Sequence, residues 1–382
     1  GEGVGGDGAP CFRYVLGEEY ARVQGMYAAC VASYDPNTIM GLLGRYPWCV
    51  DGLLQMAEVF RGTGELDRAA EMVERALYLL ERAWAVGFKP FEGLCHMRFA
   101  VPANRSFFVA LFRYHQLLSR RGLHSTALEV AKLLLSLDPY SDPMGILLCI
   151  DSVALLAHEP QWLLDMFNNF RPIAPTHLPG FHFSSALAIK ALSSSKTCPA
   201  DIKSLSWESA LADAILAFPE FVKPILSACK EPTTSLAGLP LFALHEADSH
   251  EHSLFLRLAA VYSDRSKLLW TGNTAALRAA IQTANARASS PSPPPEPAAL
   301  RAATFSYLQS SALYLTVHLG DFSDAAGSLP ADLLNAPVGA AEPPPPPAEA
   351  IGMGGALAEF LRTLLPWNGV PGAAAGAGGA GM

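Results

Sequence analysis

Paired cysteines, long apolar runs and charge are what this sequence has least of. Its seven cysteines (Cys11, Cys30, Cys49, Cys95, Cys149, Cys198 and Cys229) contain no CxxC pair. That excludes zinc-ribbon spacing and a small disulfide framework, and fits reduced thiols in a cytosolic or nuclear protein. The longest apolar run, MGILLCIDSVALLA at 144–157, is interrupted by Asp151 and is too short and too polar to span a bilayer, so it is expected to be a buried helix. Charged residues make up 16% of the 382 positions against 51% hydrophobic ones, enough apolar material for a sizeable core. The net charge of −8 excludes a protein whose whole surface serves nucleic acid and leaves room only for a local basic patch. No GxSxG, HExxH, Walker-type loop or Cys/His pairing with a supporting acid is found, so the expectation is a non-enzymatic chain without cofactor or metal.

Three weak motifs have plainer readings. GEGVGG at 1–6 matches GxGxxG but follows no strand, and reads as a flexible leader over 1–10. His245, His250 and His252 in HEADSHEH lack the helix context or cysteine partners of a zinc site and read as a solvated loop. Asn104-Arg105-Ser106 is a glycosylation sequon only in a secreted protein, and Asn104 reads better as an N-cap for a helix beginning near Ser106.

Residues 11–275 show apolar spacing of three and four with Gly or Pro at the breaks, which predicts an all-α fold. Tetratricopeptide-like helix pairs can be placed on it. With Gly64 at the turn, Leu53, Met56, Ala57 and Phe60 pack the first helix and Ala69, Val73 and Ala76 the second. With Gly122 at the turn, Leu111, Tyr114 and Leu118 face Ala127 and Ala131, and Pro139 ends the pair. A weaker fit places Trp207, Leu211, Ala214 and Pro219 at the end of another. Small residues let helix backbones approach closely while large ones fill the gap to the next pair. The turn glycines stand 58 residues apart, which is no multiple of the roughly 34-residue period, so the predicted α-solenoid is irregular.

From Gly93 to Leu128 there is no Asp or Glu, while Arg105, Arg113, Arg120 and Arg121 lie inside with Arg98, His96, His115 and His124. At about 100° per residue, Arg105, Arg113 and Arg120 fall within about 80° of one another on a helix. They are candidate contacts for phosphate or an acidic partner, the plainer reading being a solvated face paired with glutamates such as Glu71 or Glu74.

Several blocks carry a family resemblance: YPWCVDGLLQMAEVF (46–60), EMVERALYLLERAW (71–84), PANRSFFVALF (102–112), RGLHSTALEVAKLLLSLDPYSDPMGILLCIDSVAL (121–155), LPGFHFSSALA (178–188) and EFLRTLLPWN (359–368). Together they resemble the transcription factor 25 family, whose fungal member is subunit 1 of the ribosome quality control complex. The resemblance implies a scaffold on the large ribosomal subunit carrying a stalled nascent chain, beside the E3 ligase Listerin, ubiquitin and the other quality-control subunits. It would promote ubiquitination and degradation of the stalled product. Nucleic-acid contact would be limited to ribosomal RNA, with no membrane and a cytoplasmic, ribosome-associated location. The family's name implies the alternative, a nuclear transcriptional repressor. The family's long basic N-terminal region is not in this sequence, which begins GEGVGGDGAP, so the N-terminus of a longer protein is expected to be missing.

The expected organisation is the leader at 1–10, the tetratricopeptide-like array at 11–275 and a Pro/Ser-rich linker at 276–300. A helical segment at 301–335, a Pro-rich linker at 336–350, a short helix at 351–368 that docks back on the array, and a disordered Gly/Ala tail at 369–382 follow.

Overall fold

The apolar spacing is realised as helices in a computed structural model that describes residues 3–4, 10–92, 95–170, 173–194, 200–236, 238–243, 250–290 and 294–310. The fold is all-α. Two compact units divide the described residues, one running through Tyr114 and the other from His115.

In the first unit α1 (Glu18–Ala32), α2 (Pro36–Arg45), α3 (Val50–Gly62) and α4 (Leu66–Arg82) pack in succession. Asp35 starts α2: its carboxylate accepts the Asn37 N–H at 2.9 Å, and Pro36 occupies the first turn, where its missing donor costs nothing. Between α3 and α4 the chain turns at Gly64, whose φ of +83° is open to glycine without strain. The Glu65 N–H reaches back to the Phe60 carbonyl at 2.8 Å and the Gly64 N–H to that of Arg61 at 3.2 Å, the Schellman closure of a helix end. Leu53, Ala57, Ala69 and Ala76 are all buried. α5 (Arg105–Arg120) gives its first ten residues to this unit and the remainder to the second.

The all-helical expectation missed one small feature. Gly3–Val4 (β1) pairs antiparallel with Pro10–Phe12 (β2), which runs parallel to His96–Met97 (β3). Strands of two and three residues are too short to show an alternating pattern, so the flexible leader expected at 1–10 gives way to paired backbone at Gly3–Val4 and Pro10. Beyond β2, Tyr14 donates its hydroxyl to the Leu80 carbonyl at 3.2 Å and accepts the Trp84 indole N–H at 3.0 Å. Trp84 in turn packs against Phe88, Phe91 and Phe107.

The second unit holds α6 (His124–Leu137), α7 (Ile150–Leu156), α8 (Pro160–Asn169), α9 (Pro179–Ser193), α10 (Ala200–Lys203), α11 (Trp207–Ala217), α12 (Val222–Ala228), α13 (Pro240–Ala243), α14 (His250–Thr271), α15 (Thr274–Ala288) and α16 (Glu296–Ser310). α11 packs against α9, α15 and α16, while α14 lies on α12 and α7. Gly122 has φ +75° and repeats the closure seen at Gly64, with the Leu123 N–H on the Leu118 carbonyl at 3.0 Å. Leu111 is 5% exposed in the first unit, Ala127 is fully buried here, and Pro139 is half-buried just past the end of α6.

The same turn recurs where no glycine marks it. His158, at φ +62°, closes α7, with the Glu159 N–H on the Ala154 carbonyl at 2.9 Å; Lys230, at φ +59°, closes α12, with the Glu231 N–H on Leu226 at 2.9 Å. The interval from Gly122 to His158 is 36 residues, against the 58 that separate Gly64 from Gly122.

The expected buried helix at 144–157 is broken: Ile146–Leu148 form a 3-10 turn and α7 begins only at Ile150. The linker expected at 276–300 is mostly helical, because TAALRAAIQTANARA is rich in strong helix formers and buries Leu277, Ala280, Ile281 and Ala284 at helical spacing. Only residues 289–295 separate α15 from α16. α16 reaches back to Glu296, five residues before the helical segment expected to start at 301; the rest of that segment, the linker at 336–350, the short helix at 351–368 and the tail lie outside the described residues. No helix among the described residues is long and apolar enough to cross a membrane.

Candidate partner-binding surface

The arginines of α5 and its following turn do not form one exposed stripe. Arg105 is half-buried; its Nε–H donates to the Phe99 carbonyl at 3.3 Å and its guanidinium stacks over the Phe99 ring. Arg113 lies against Glu58 of α3, Nε to Oε1 at 2.5 Å, with side-chain exposures of 13% and 7%. Arg61 reaches the other Glu58 oxygen at 2.9 Å. Burial alone would push the Glu58 carboxyl up, but the two guanidiniums outweigh it and hold the group below the ordinary carboxylate range. Arg113 is thus paired with Glu58, a glutamate of a neighbouring helix that the sequence did not single out, and its charge is met inside the fold. Helical phase carries no information about what packs against a face. Arg120 and Arg121 are exposed where α5 ends.

Asn104 does not cap α5. It ends a 3-10 turn and is fully buried, with its side-chain oxygen accepting the Tyr14 N–H at 3.0 Å and its amide donating to the Arg98 carbonyl at 2.8 Å. The sequon asparagine is a clasp for the N-terminal segment. Of the HEADSHEH histidines, His245 lies outside the described residues, whereas His250 and His252 open α14 instead of sitting in a loop. His252 Nδ1 is 3.2 Å from Glu220. Glu220 also takes a two-pronged contact from Arg301 of α16 at 2.6 and 3.0 Å, which offsets its burial and keeps its carboxyl low. Among the described residues no cluster of three or more His, Cys, Asp or Glu is placed to hold a metal.

Two buried polar sets were invisible in the sequence because their members are far apart. His115 donates its Nδ1–H to the Ala127 carbonyl at 2.9 Å and has Cys149 at 3.8 Å from Nε2. Burial, and then the charge of Arg265, lower the imidazole to about 4 and keep it neutral. Both residues are at most 1% exposed, so this pair packs and is not presented to a substrate. Asp151 accepts the Ser184 hydroxyl at 2.8 Å and the Ser152 N–H at 2.7 Å; Ser184 meets the Tyr262 hydroxyl at 3.1 Å, which accepts the Trp270 N–H at 3.2 Å. Burial pushes Asp151 up to about 6, against the hydrogen bonds that lower it. Gly180 leaves room for this set, since a Cβ there would stand 2.8 Å from the Tyr262 ring.

The arrangement offers helix pairs, buried polar locks and exposed cations, the equipment of a binding protein. A family model described as transcriptional repressor TCF25 matches residues 12–346. The chain belongs to the Tcf25 family. Among the relatives of this Tcf25-family chain is the human protein named ribosome quality control complex subunit TCF25, 30% identical over 377 residues that cover 94% of this chain and 56% of that protein. The Schizosaccharomyces pombe protein named ribosome quality control complex subunit 1 is 36% identical over 181 residues, 47% of this chain and 27% of its own length. A protein of Ampulloclitocybe clavipes named probable transcription factor claV is 35% identical over 271 residues, 66% of this chain and 34% of its own. The chain spans about half the length, 56%, of the first of these relatives. No solved structure matches it.

Proposed function

We propose that this chain is a non-enzymatic scaffold of ribosome quality control, acting with Listerin on large ribosomal subunits that carry stalled nascent chains and promoting ubiquitination and degradation of those chains. The observation that carries this reading is the similarity, over 94% of the chain, to a protein named as a ribosome quality control complex subunit. The tetratricopeptide-like array over 11–275 supplies the scaffold, and its cytoplasmic, ribosome-associated location follows from the same reading. Arg120 and Arg121, both exposed, are the candidate contacts for an acidic partner or ribosomal RNA.

Co-sedimentation of the protein with large subunits tests this. Preferential recovery with stalled-chain complexes bearing Listerin over empty subunits is expected, and equal or no recovery with both overturns it. Arg120→Glu with Arg121→Glu is expected to weaken recovery most at low salt. A second reading, a nuclear transcriptional repressor, is favoured by the family description and by the relative named as a probable transcription factor. Chromatin enrichment without ribosomal fractions would select it.

A further inference from the structure

The first unit contains an open groove of about 500 Å³ whose walls come from the segment after β2, α1, the start of α3, the end of α4 and the start of α5. Its volume is that of a ligand or peptide pocket. Tyr14, Leu16, Tyr20, Trp48 and Leu80 make the lining predominantly apolar and aromatic. At the rim Val15 and Leu16 are 81% and 47% exposed, so the groove continues into an outward-facing apolar edge.

One charged side chain stands in this lining, Asp51. Its two oxygens accept from the Gln24 amide and the Ser106 hydroxyl, both neutral donors. No described Lys, Arg or His pairs with it, in contrast to Glu58 on the same helix, which two arginines neutralise. Each carboxylate oxygen keeps a further lone pair for a donor from outside. Close by, the Tyr20 and Trp48 rings lie 5.7 Å apart between centroids, tilted by 34°. Aromatic faces beside an unneutralised carboxylate in an apolar groove suit a cation on an aliphatic stem: the rings and the carboxylate take the charge, and the walls take the methylenes.

We infer that this groove binds a partner polypeptide segment in which a lysine or arginine stands among apolar residues, the cation meeting Asp51 beside Tyr20 and Trp48 and its apolar neighbours covering Leu16 and Leu80. The assignment is independent of the ribosomal reading, since it rests on lining chemistry alone.

The probe is a random dodecapeptide library displayed on phage and selected against the whole protein, followed by synthesis of the most enriched peptide and fluorescence anisotropy. Enrichment of a Lys or Arg flanked by apolar residues is expected. Asp51→Asn, which keeps an acceptor oxygen, should weaken that peptide about tenfold or more, and replacing the peptide's cation by norleucine should remove the difference between the two proteins. Ala83→Trp, which fills the groove from an exposed position, should abolish binding while leaving the helical circular dichroism unchanged. Enriched peptides without a basic residue, equal affinity for wild type and Asp51→Asn, or indifference to Ala83→Trp would each overturn the assignment.

Discussion

Glu58 in the first unit and Asp151 in the second are both carboxylates sealed among helices, and the two are neutralised in opposite ways. Glu58 in the first unit is ionised between Arg113 and Arg61, whereas Asp151 in the second is surrounded by a serine hydroxyl, a backbone N–H and, one bond further, a tyrosine and a tryptophan. Burial penalises both. At Glu58 guanidinium charge more than compensates, and at Asp151 hydrogen bonds compensate only in part. Two acids at similar depth therefore push stability in contrary directions as pH changes, and depth alone predicts neither.

The largest break in this comparison is removal of Arg113. Arg113→Met leaves Glu58 buried with one cation fewer, and a loss of about 3–5 kcal/mol is expected in denaturant unfolding. Adding Glu58→Gln to that variant should restore part of the loss; no restoration would mean that Arg113 acts through packing and not through charge. Because the folded-state Glu58 carboxyl is depressed, its contribution is present above the ordinary glutamate range and is lost as pH falls through its folded value.

Asp151 behaves in reverse. Its folded value, about 6, stands above its ordinary 3.8, so the folded state holds a proton more tightly than the unfolded one. Stability is greatest at acid pH on this account and declines as pH rises from about 4 to about 6, by at most about 2–3 kcal/mol. Asp151→Asn, neutral throughout, should flatten that part of the profile and gain on wild type at pH 7. Asp142, also raised to about 6 by burial, titrates in the same window, so part of the slope should persist. An unchanged profile would show that Asp151 is not the group responsible.

Smaller effects sharpen the same contrast. Gly180→Ala drives a methyl into the Tyr262 ring and should cost about 1–3 kcal/mol, an overpacking effect confined to the second unit's polar set. Finally, Gly122→Ala should cost about 1 kcal/mol and His158→Gly should gain about 1 kcal/mol or less, because both positions are left-handed and only one has the residue that suits it. Equal and opposite thermal shifts would establish the two turns as the same device.

Those turns also show how much of the fold could be read in advance. Helices at Leu53, Ala57 and Ala76 and at Leu111 and Ala127 were legible because apolar period and turn glycine agreed. The turns at His158 and Lys230 were not, since a local hydrogen-bond closure holds an ordinary residue in a conformation that composition does not advertise. The short sheet escaped for want of length. The site was less legible than the fold: Glu58 lies 55 residues from Arg113 and nothing in the intervening sequence announces their meeting. The groove draws Tyr20, Trp48, Asp51 and Ser106 from separate helices and loops, so only the folded chain assembles it.

The clasp at Asn104 bears on how the chain is made. Tyr14 and the strand before it are synthesised ahead of their partners, Asn104 and β3, which follow some 85 to 90 residues later. Until then that strand presents unpaired backbone, the kind of edge that invites pairing with a neighbouring chain. Vectorial synthesis thus makes completion of the first unit a late event, and an arrest of translation before Asn104 would strand an open, association-prone intermediate of this very protein.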